Sequence, residues 1–469
     1  MNVKPSSFPH TRPQGRRPAG PPWYTLLGHL TETLPDQLGW LRGCPQKYGD
    51  VVNLTLVRPT YLLNDPEDLQ HVLEKNHLNY TKTRRLVGAC GKRLSGHGLL
   101  TSSGTAAIAL RRLLAPVVLP SNIPEFDRVV IEYTDTMVAN WPTGETIDLA
   151  SELLRLAQRI LGRLLFGLDF AGDGSDLAEA ITVRRRFIQR HFKSLGPILD
   201  LIPSRLQHHY RQAMRVFDRR VAELIRVRRE RPARYQDILA SLTMLTQPDG
   251  TPMTDQEVRD EALTLATTGY ATLGEALAWM WYLLATNPLV LEEVRAEIQR
   301  VVRDRPPTRE NLPGLFYCER VLSESLRMYP PTWIFVRVAI QDDVLPGGVV
   351  IPAGCKLYLS PYVTQHDPRH FSDPDRFNPG RFSEEAKHGR PRYAYFPLAG
   401  GPRVCLGQQF ARAEALLVLA RLAQVAIIDL VPDQAIRPRP GQILSQTQPL
   451  LVRWSRRKPR VPVTVEASV

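Results

Sequence analysis

The 469-residue chain lacks three features that would place it at once. It has no Cys-x-x-Cys pair. Its five cysteines, Cys44, Cys90, Cys318, Cys355 and Cys405, are odd in number and far apart, which excludes a disulfide framework or a zinc ribbon and fits a reducing compartment. It has no apolar run of the ~18 residues that a membrane-spanning helix needs; the best stretch, 415–428, is interrupted by Arg421 and Gln424. Lysine is scarce beside arginine, the basic residues are spread along the chain and the densest cluster is Arg456, Arg457, Lys458 and Arg460, so the formal charge of +13 is diffuse. A diffuse field argues against nucleic acid, which calls for a concentrated basic face, and suits an acidic protein partner.

A length of 469 residues allows about three domains at ~150 residues each, yet no repeat period and no clean linker divides the chain. Residues 1–22 form a Pro/Arg-rich leader, expected to be flexible, without the apolar run of a signal peptide. Val51 to Val57 and Tyr61 to Asn64 alternate as a hairpin, and Asp65-Pro66 starts a helix reaching Lys75. From 105 to 330 the periodicity is mostly helical, with Thr254 and Glu257 forming a capping pattern ahead of a segment that reaches 285. After Pro330-Pro331 short β-type pieces such as Lys356 to Ser360 are separated by Gly and Pro, and helical periodicity returns only at Gln408 to Gln424. The expectation is one mainly α domain with a minor β region over 23–454, followed by a basic tail at 455–469.

The densest chemical signal is FPLAGGPRVCLGQ at 396–408. Gly400, Gly401 and Pro402 set a rigid turn, Arg403 follows, and Cys405 stands directly before a helical segment. A cysteine there meets unpaired N–H groups and the positive end of the helix dipole, which favour a thiolate able to bind a metal. A cysteine after a glycine turn is also a common buried structural residue. The combination separates the two readings: paired glycines let a large flat ligand lie against the backbone, and Arg403 can meet an anionic group at its edge. A haem with a thiolate ligand and ionised propionates has those features.

With this stretch the chain resembles the cytochrome P-450 family. The family's F-x-x-G-x-R-x-C-x-G signature falls on Leu398, Gly401, Arg403, Cys405 and Gly407. Only Leu398 departs, and a Leu in place of Phe should shield the thiolate less and shift the iron potential. By this resemblance Cys405 is the axial ligand of the haem iron, with Gly401, Arg403 and Gly407 binding the cofactor. Glu324-Ser325-Leu326-Arg327 matches E-x-x-R, and Pro374-Asp375-Arg376-Phe377 matches P-x-R-F. Glu324, Arg327 and Arg376 are therefore expected to form a buried network that locks the cysteine loop. The resemblance spans nearly the whole chain and implies the cytochrome P-450 fold, a single large domain enclosing haem b. It further implies a soluble, cytoplasmic, bacterial-type monomer that takes O2, and electrons from NAD(P)H through ferredoxin reductase and ferredoxin, with no contact to nucleic acid or membrane.

Two departures stand out. The family's A-G-x-(D/E)-T-T falls on Thr268, Gly269, Tyr270, Ala271, Thr272 and Leu273. Thr272 is kept, but Ala271 replaces the acid that helps manage protons during oxygen cleavage. Glu275, one turn on, is a candidate substitute, although such a residue commonly just faces a neighbouring helix. The family's W-x-x-x-R falls on Ala107 and Arg111, so an indole contact to the propionates is lost and Arg111 and Arg337 remain.

Leu99, Thr268, Trp333, Ile334, Phe335 and Gln446 are the expected substrate-pocket residues, within segments that include 87–100 and 187–199. The pocket is expected to be apolar with a few polar fixtures, suited to a terpenoid, polyketide, fatty acyl or aromatic molecule. The resulting expectation is a haem-thiolate monooxygenase of natural-product (secondary) metabolism. Because of Ala271, desaturation, rearrangement, ring closure or peroxide-driven chemistry is the alternative, and a non-catalytic haem protein that binds a ligand is the remote one.

Overall fold

The computed structural model describes residues 18–457, apart from 24, 27–35, 143, 192–203 and 248. Most of the leader, the tail beyond 457 and the 192–199 part of the expected pocket lie outside the described residues. The chain begins with α1 (Gln37–Tyr48), β1 (Val51–Asn53), β2 (Thr60–Leu63), β3 (Tyr80–Thr81), α2 (Gly104–Leu114), α3 (Phe126–Ala139) and β4 (Thr146–Asp148). The helical middle follows as α4 (Leu149–Phe166), α5 (Ser175–His191), α6 (Arg205–Glu230), α7 (Asp255–Thr268), α8 (Ala271–Ala285), α9 (Pro288–Val301) and α10 (Phe316–Met328). Then come β5 (Phe335–Ala339), β6 (Asp343–Val344), β7 (Val350–Ile351), β8 (Lys356–Leu359), α11 (Gln408–Val425), β9 (Ala426–Leu430), β10 (Pro438–Arg439), β11 (Ser445–Gln446) and β12 (Leu451–Arg456).

Local signals account for many of these boundaries. Thr254 and Glu257 close a capping box at the head of α7, the Thr hydroxyl accepting from the Glu257 N–H and the Glu257 carboxylate from the Thr254 N–H. Asp65 accepts from the N–H groups of Glu67 and Asp68 and so starts the helix at Pro66. The expected first strand is cut short: Asn53 turns the chain by accepting from the Thr55 N–H at 3.0 Å, and the pairing with β2 ends one bond later, from the Leu54 N–H to the Thr60 carbonyl. The expected tail also begins late, because β12 carries Ser455 and Arg456 into its pairing with β9.

The helix expected to run unbroken to 285 is interrupted at Gly269-Tyr270, between α7 and α8. Thr268 and Thr272 each donate a side-chain bond to the carbonyl four residues back, at 2.8 and 3.0 Å, flanking the interruption. Such back-bonding bends helices.

The main core lies where α8 packs on α4, and α3 and α10 on α11, around fully buried Trp279 and Trp281. A second, smaller core lies under the five-stranded sheet β1-β2-β8-β5-β3, in which β2 and β8 run parallel and the other pairs antiparallel. A three-stranded sheet, β4-β12-β9, and the β10-β11 hairpin close the C-terminal side. Leu444, ahead of β11, accepts from the Trp279 indole and donates to Pro331, which ties that hairpin to α8 and to the approach to β5.

Candidate active site

The cysteine loop is shaped by its backbone. Gly401 has φ +63°, and a Cβ there would lie 1.9 Å from the Leu73 carbonyl, so no other residue fits. The loop folds back so that the Cys405 N–H bonds to the Leu398 carbonyl at 2.9 Å, and α11 begins three residues later. Cys405 is exposed, whereas Cys44, Cys318 and Cys355 are buried. Burial of the surroundings pushes its thiol up, opposed by the Gly407 N–H and by the nearby Arg111 guanidinium on α2. Coordination to iron would remove the proton outright.

Glu324 and Arg327 on α10 are fully buried and joined by two hydrogen bonds of 2.7 and 2.9 Å. The third member of the network is not Arg376, which is exposed. Arg381 takes that place, its Nε 3.3 Å from Glu324, while the Asn378 N–H donates to the same carboxylate at 3.0 Å. The chain holds two P-x-R-F matches five residues apart, and the second, Pro379-Gly380-Arg381-Phe382, is the one folded against α10. In the first, Asp375 is instead clasped by Arg42 of α1 through bonds of 2.5 and 2.7 Å. Gln365, which the motifs did not flag, carries the network to the cysteine loop. It accepts from Arg327 on its backbone carbonyl and from the Phe396 N–H on its side chain.

Arg337 and Arg403 converge with a residue that sequence reasoning missed, Lys82. Arg337 is buried on β5, burial and Arg403 pushing it down to about 10. Lys82 is pushed down to about 7 by burial and by the charges of Arg337 and Arg403, and its ammonium donates to the carbonyls of Leu99 and Leu100. Nη1 of Arg403 is buried without a partner. Cations held together with unspent hydrogen-bonding capacity call for an anion. An accessible thiol at a helix start with such a cluster beside it fits a haem: Cys405 as axial ligand, and Arg337, Arg403, Lys82 and Arg111 toward the two propionates. Ala107, where the indole would have stood, is buried on α2.

Of the expected pocket residues, Thr268 is exposed, and Thr272, the kept threonine one turn on, is half-buried on the α7–α8 segment. Trp333 and Ile334 are half-buried: the Trp333 indole bonds to the Gly441 carbonyl, and both pack against residues of the five-stranded sheet and α1. Phe335 sets its ring edge-on to Phe396 and lies under the Arg337 guanidinium. Leu99 is held through its backbone by Glu261, and Gln446 is buried beside Glu275. Glu275 is pushed up to about 7 by burial, with Arg185, Arg439 and Gln446 pulling the other way, and its Oε2 has no partner.

A cytochrome P450 family model matches residues 18–454. The chain belongs to the cytochrome P450 family. It is similar to cyclooctatin synthase of Streptomyces melanosporofaciens, 31% identical over 95% of this chain and 97% of that one. It is similar also to cyclooctat-9-en-7-ol 5-monooxygenase of the same organism, at 31% over 94% and 93%, and to pentalenene oxygenase of Streptomyces avermitilis, at 28% over 92% and 94%. The fold matches the crystal structure of the cytochrome P450DA heme domain with a TM-score of 0.82 at 23% identity, covering 95% of this chain and 99% of that one. The protein is thus a P450 monooxygenase, a haem-thiolate enzyme that uses O2 and takes electrons from a redox partner to oxidise a hydrophobic substrate. Among the described residues of this P450, no helix is long and apolar enough to cross a membrane.

The role given to Lys82 has a signed pH test. Between pH ~7 and ~10 the unfolded chain binds a proton that the folded haem-free chain does not, so stability of the haem-free protein rises with pH across that window. Lys82→Met is expected to flatten that rise in denaturant titrations. In the loaded protein the same change should speed haem transfer to apomyoglobin roughly ten- to a hundred-fold, the equivalent of losing a charged hydrogen bond of about 1.5–3 kcal/mol.

Proposed function

We propose that this P450 inserts one oxygen atom of O2 into an unactivated C–H or C=C bond of a terpenoid, as a step in natural-product biosynthesis. The observation that carries the substrate class is the full-length similarity to terpenoid-related oxygenases named for cyclooctatin and pentalenene. Thr268 and Thr272, the accessible hydroxyls of the α7–α8 segment, agree with a hydrophobic substrate that needs few polar contacts. Electrons come from NAD(P)H through a ferredoxin reductase and a ferredoxin, whose acidic surface the net charge of +13 would attract; the enzyme acts as a cytoplasmic monomer.

Haem, when bound, supplies the redox chemistry of oxygen activation, with the thiolate pushing electron density toward cleavage. The chain's own part is to hold and tune that group. Cys405 provides the ligand, and the Gly407 N–H and Arg111 favour its thiolate form. Arg337, Arg403 and Lys82 neutralise the propionates, and Glu324, Arg327 and Arg381 keep the loop rigid. Thr272 holds a hydroxyl over the site, its proton committed to the Thr268 carbonyl and its oxygen left free to accept.

Oxidation by desaturation or ring closure is the second reading, favoured by Ala271, which is buried and brings no carboxyl to that turn. Turnover of pentalenene and of cyclooctat-9-en-7-ol under labelled O2 separates the readings. Labelled product is expected, and unlabelled product would establish the second. If neither compound perturbs the haem spectrum, the substrate class is wrong.

A further inference from the structure

Five polar side chains of α7 and α8 recur at helical spacing: Glu261, Thr264, Thr268, Thr272 and Glu275. At ~100° per residue they fall within one narrow face. Thr267, Thr268 and Thr272 spend their hydroxyl protons on the carbonyl four residues back. Thr264 does not: its buried Oγ1 has no partner, and neither does Oε2 of Glu261 one turn before it. Glu261 is only 2% exposed, and its other oxygen accepts from the Leu99 N–H at 2.8 Å. A Cβ built on Gly98 would stand 2.6 Å from the Thr264 hydroxyl and 3.1 Å from Oε1 of Glu261, so the 96–101 loop packs directly onto both side chains. Buried polar atoms left unspent are the usual mark of an ordered water.

We infer that Glu261 is the proton store for oxygen cleavage in this P450, passing its proton through the free hydroxyl of Thr264 and intervening water toward Thr272, whose oxygen is open to accept, in place of the acid missing at Ala271. The inference rests on the monooxygenase reading. Glu261 acts through the threonines and does not touch the reacting atoms, so it is a relay residue. After giving up its proton it is recharged from solvent through water, the charge of Lys82 favouring its carboxylate form in the interval. The charged and titratable groups facing it are Lys82 from the chain after β3 and Asp260 on its own helix; Asp260 is occupied by Arg259, Gln256 and the His97 N–H. Burial pushes Glu261 up to about 7, against the pull of the Leu99 N–H and of Lys82, so that it both holds and releases a proton near neutral pH. Glu275 also has a free oxygen, but its neighbours are two guanidinium groups and an amide, not hydroxyls in line with Thr272.

The test uses the holoenzyme reduced in the presence of O2 with no added substrate. Peroxide release takes two protons and two electrons per O2, and water formation takes four of each, so the peroxide-to-water ratio reports proton supply. Glu261→Gln keeps the acceptor for Leu99 and is expected to raise that ratio roughly tenfold and to enlarge the solvent isotope effect; the ~10²–10⁴ of a directly contacting acid is not expected. Adding Ala271→Asp to Glu261→Gln should restore the ratio. Independently of turnover, the infrared spectrum of the ferric protein should show a carboxylic-acid band that titrates near neutral pH and disappears in Glu261→Gln. An unchanged ratio in Glu261→Gln, or a rise confined to Glu275→Gln, overturns the inference. Loss of the thiolate-type carbon-monoxide band in the unmutated protein would instead overturn the monooxygenase reading.

Discussion

Cys405→Ala is expected to abolish the carbon-monoxide difference band of a thiolate-ligated ferrous haem and to bring oxygen insertion below detection. The other described cysteines offer no substitute, since Cys44, Cys318 and Cys355 are buried and their thiols are pushed up by burial. Among the described residues no group of three or more His, Cys, Asp and Glu side chains stands together as an alternative metal site. The fold should survive, because the loop is set by Gly401 and by the Cys405 backbone bond to Leu398, neither of which needs the sulfur. Far-ultraviolet dichroism unchanged from the parent, with the band gone, is the expected pair of results. A retained thiolate-type band would mean that another residue ligates the iron.

The second large effect belongs to α10. Arg327→Leu strands the Glu324 carboxylate at zero exposure and removes the bond to the Gln365 carbonyl. Breaking one side of a buried pair costs about 3–5 kcal/mol, a large share of the ~5–15 kcal/mol that holds a folded protein together. The variant is expected to accumulate as aggregate, or as protein without haem, measured by the haem-to-protein absorbance ratio of the soluble fraction. The two P-x-R-F matches separate cleanly in the same assay. Arg381→Ala should lower the denaturation midpoint by the equivalent of about 1–3 kcal/mol, whereas Arg376→Ala, on the surface, should fall within about 0.5 kcal/mol of the parent. Equal effects would remove Arg381 from the network.

That pair of motifs marks the limit of what the chain's own text conveys. Pro374 to Phe377 and Pro379 to Phe382 are equivalent as strings, and only the path that brings Asn378 and Arg381 onto Glu324 tells them apart. Lys82 lies in a short strand exit with no periodicity around it, so its importance comes wholly from distant Arg337 and Arg403. The indole of Trp333, an expected pocket residue, bonds to Gly441, a residue 108 positions away that no local signal could have named. Signals that work over one or two turns were legible: the Thr254–Glu257 box, the Asp65 cap and the turn before Cys405. What stayed hidden were partner choices made across hundreds of residues, where many equally polar side chains compete for the same carboxylate or carbonyl.

The crowding of Lys82, Arg337 and Arg403 bears on how this protein lives in a cell. Their mutual repulsion weakens the haem-free chain, and an anionic cofactor that binds only the folded form stabilises it in proportion to the logarithm of its free concentration. Newly made polypeptide that meets no haem stays open to proteases and to aggregation. Haem supply during synthesis therefore acts as quality control, and the yield of enzyme should follow the producing cell's porphyrin output more closely than its messenger level.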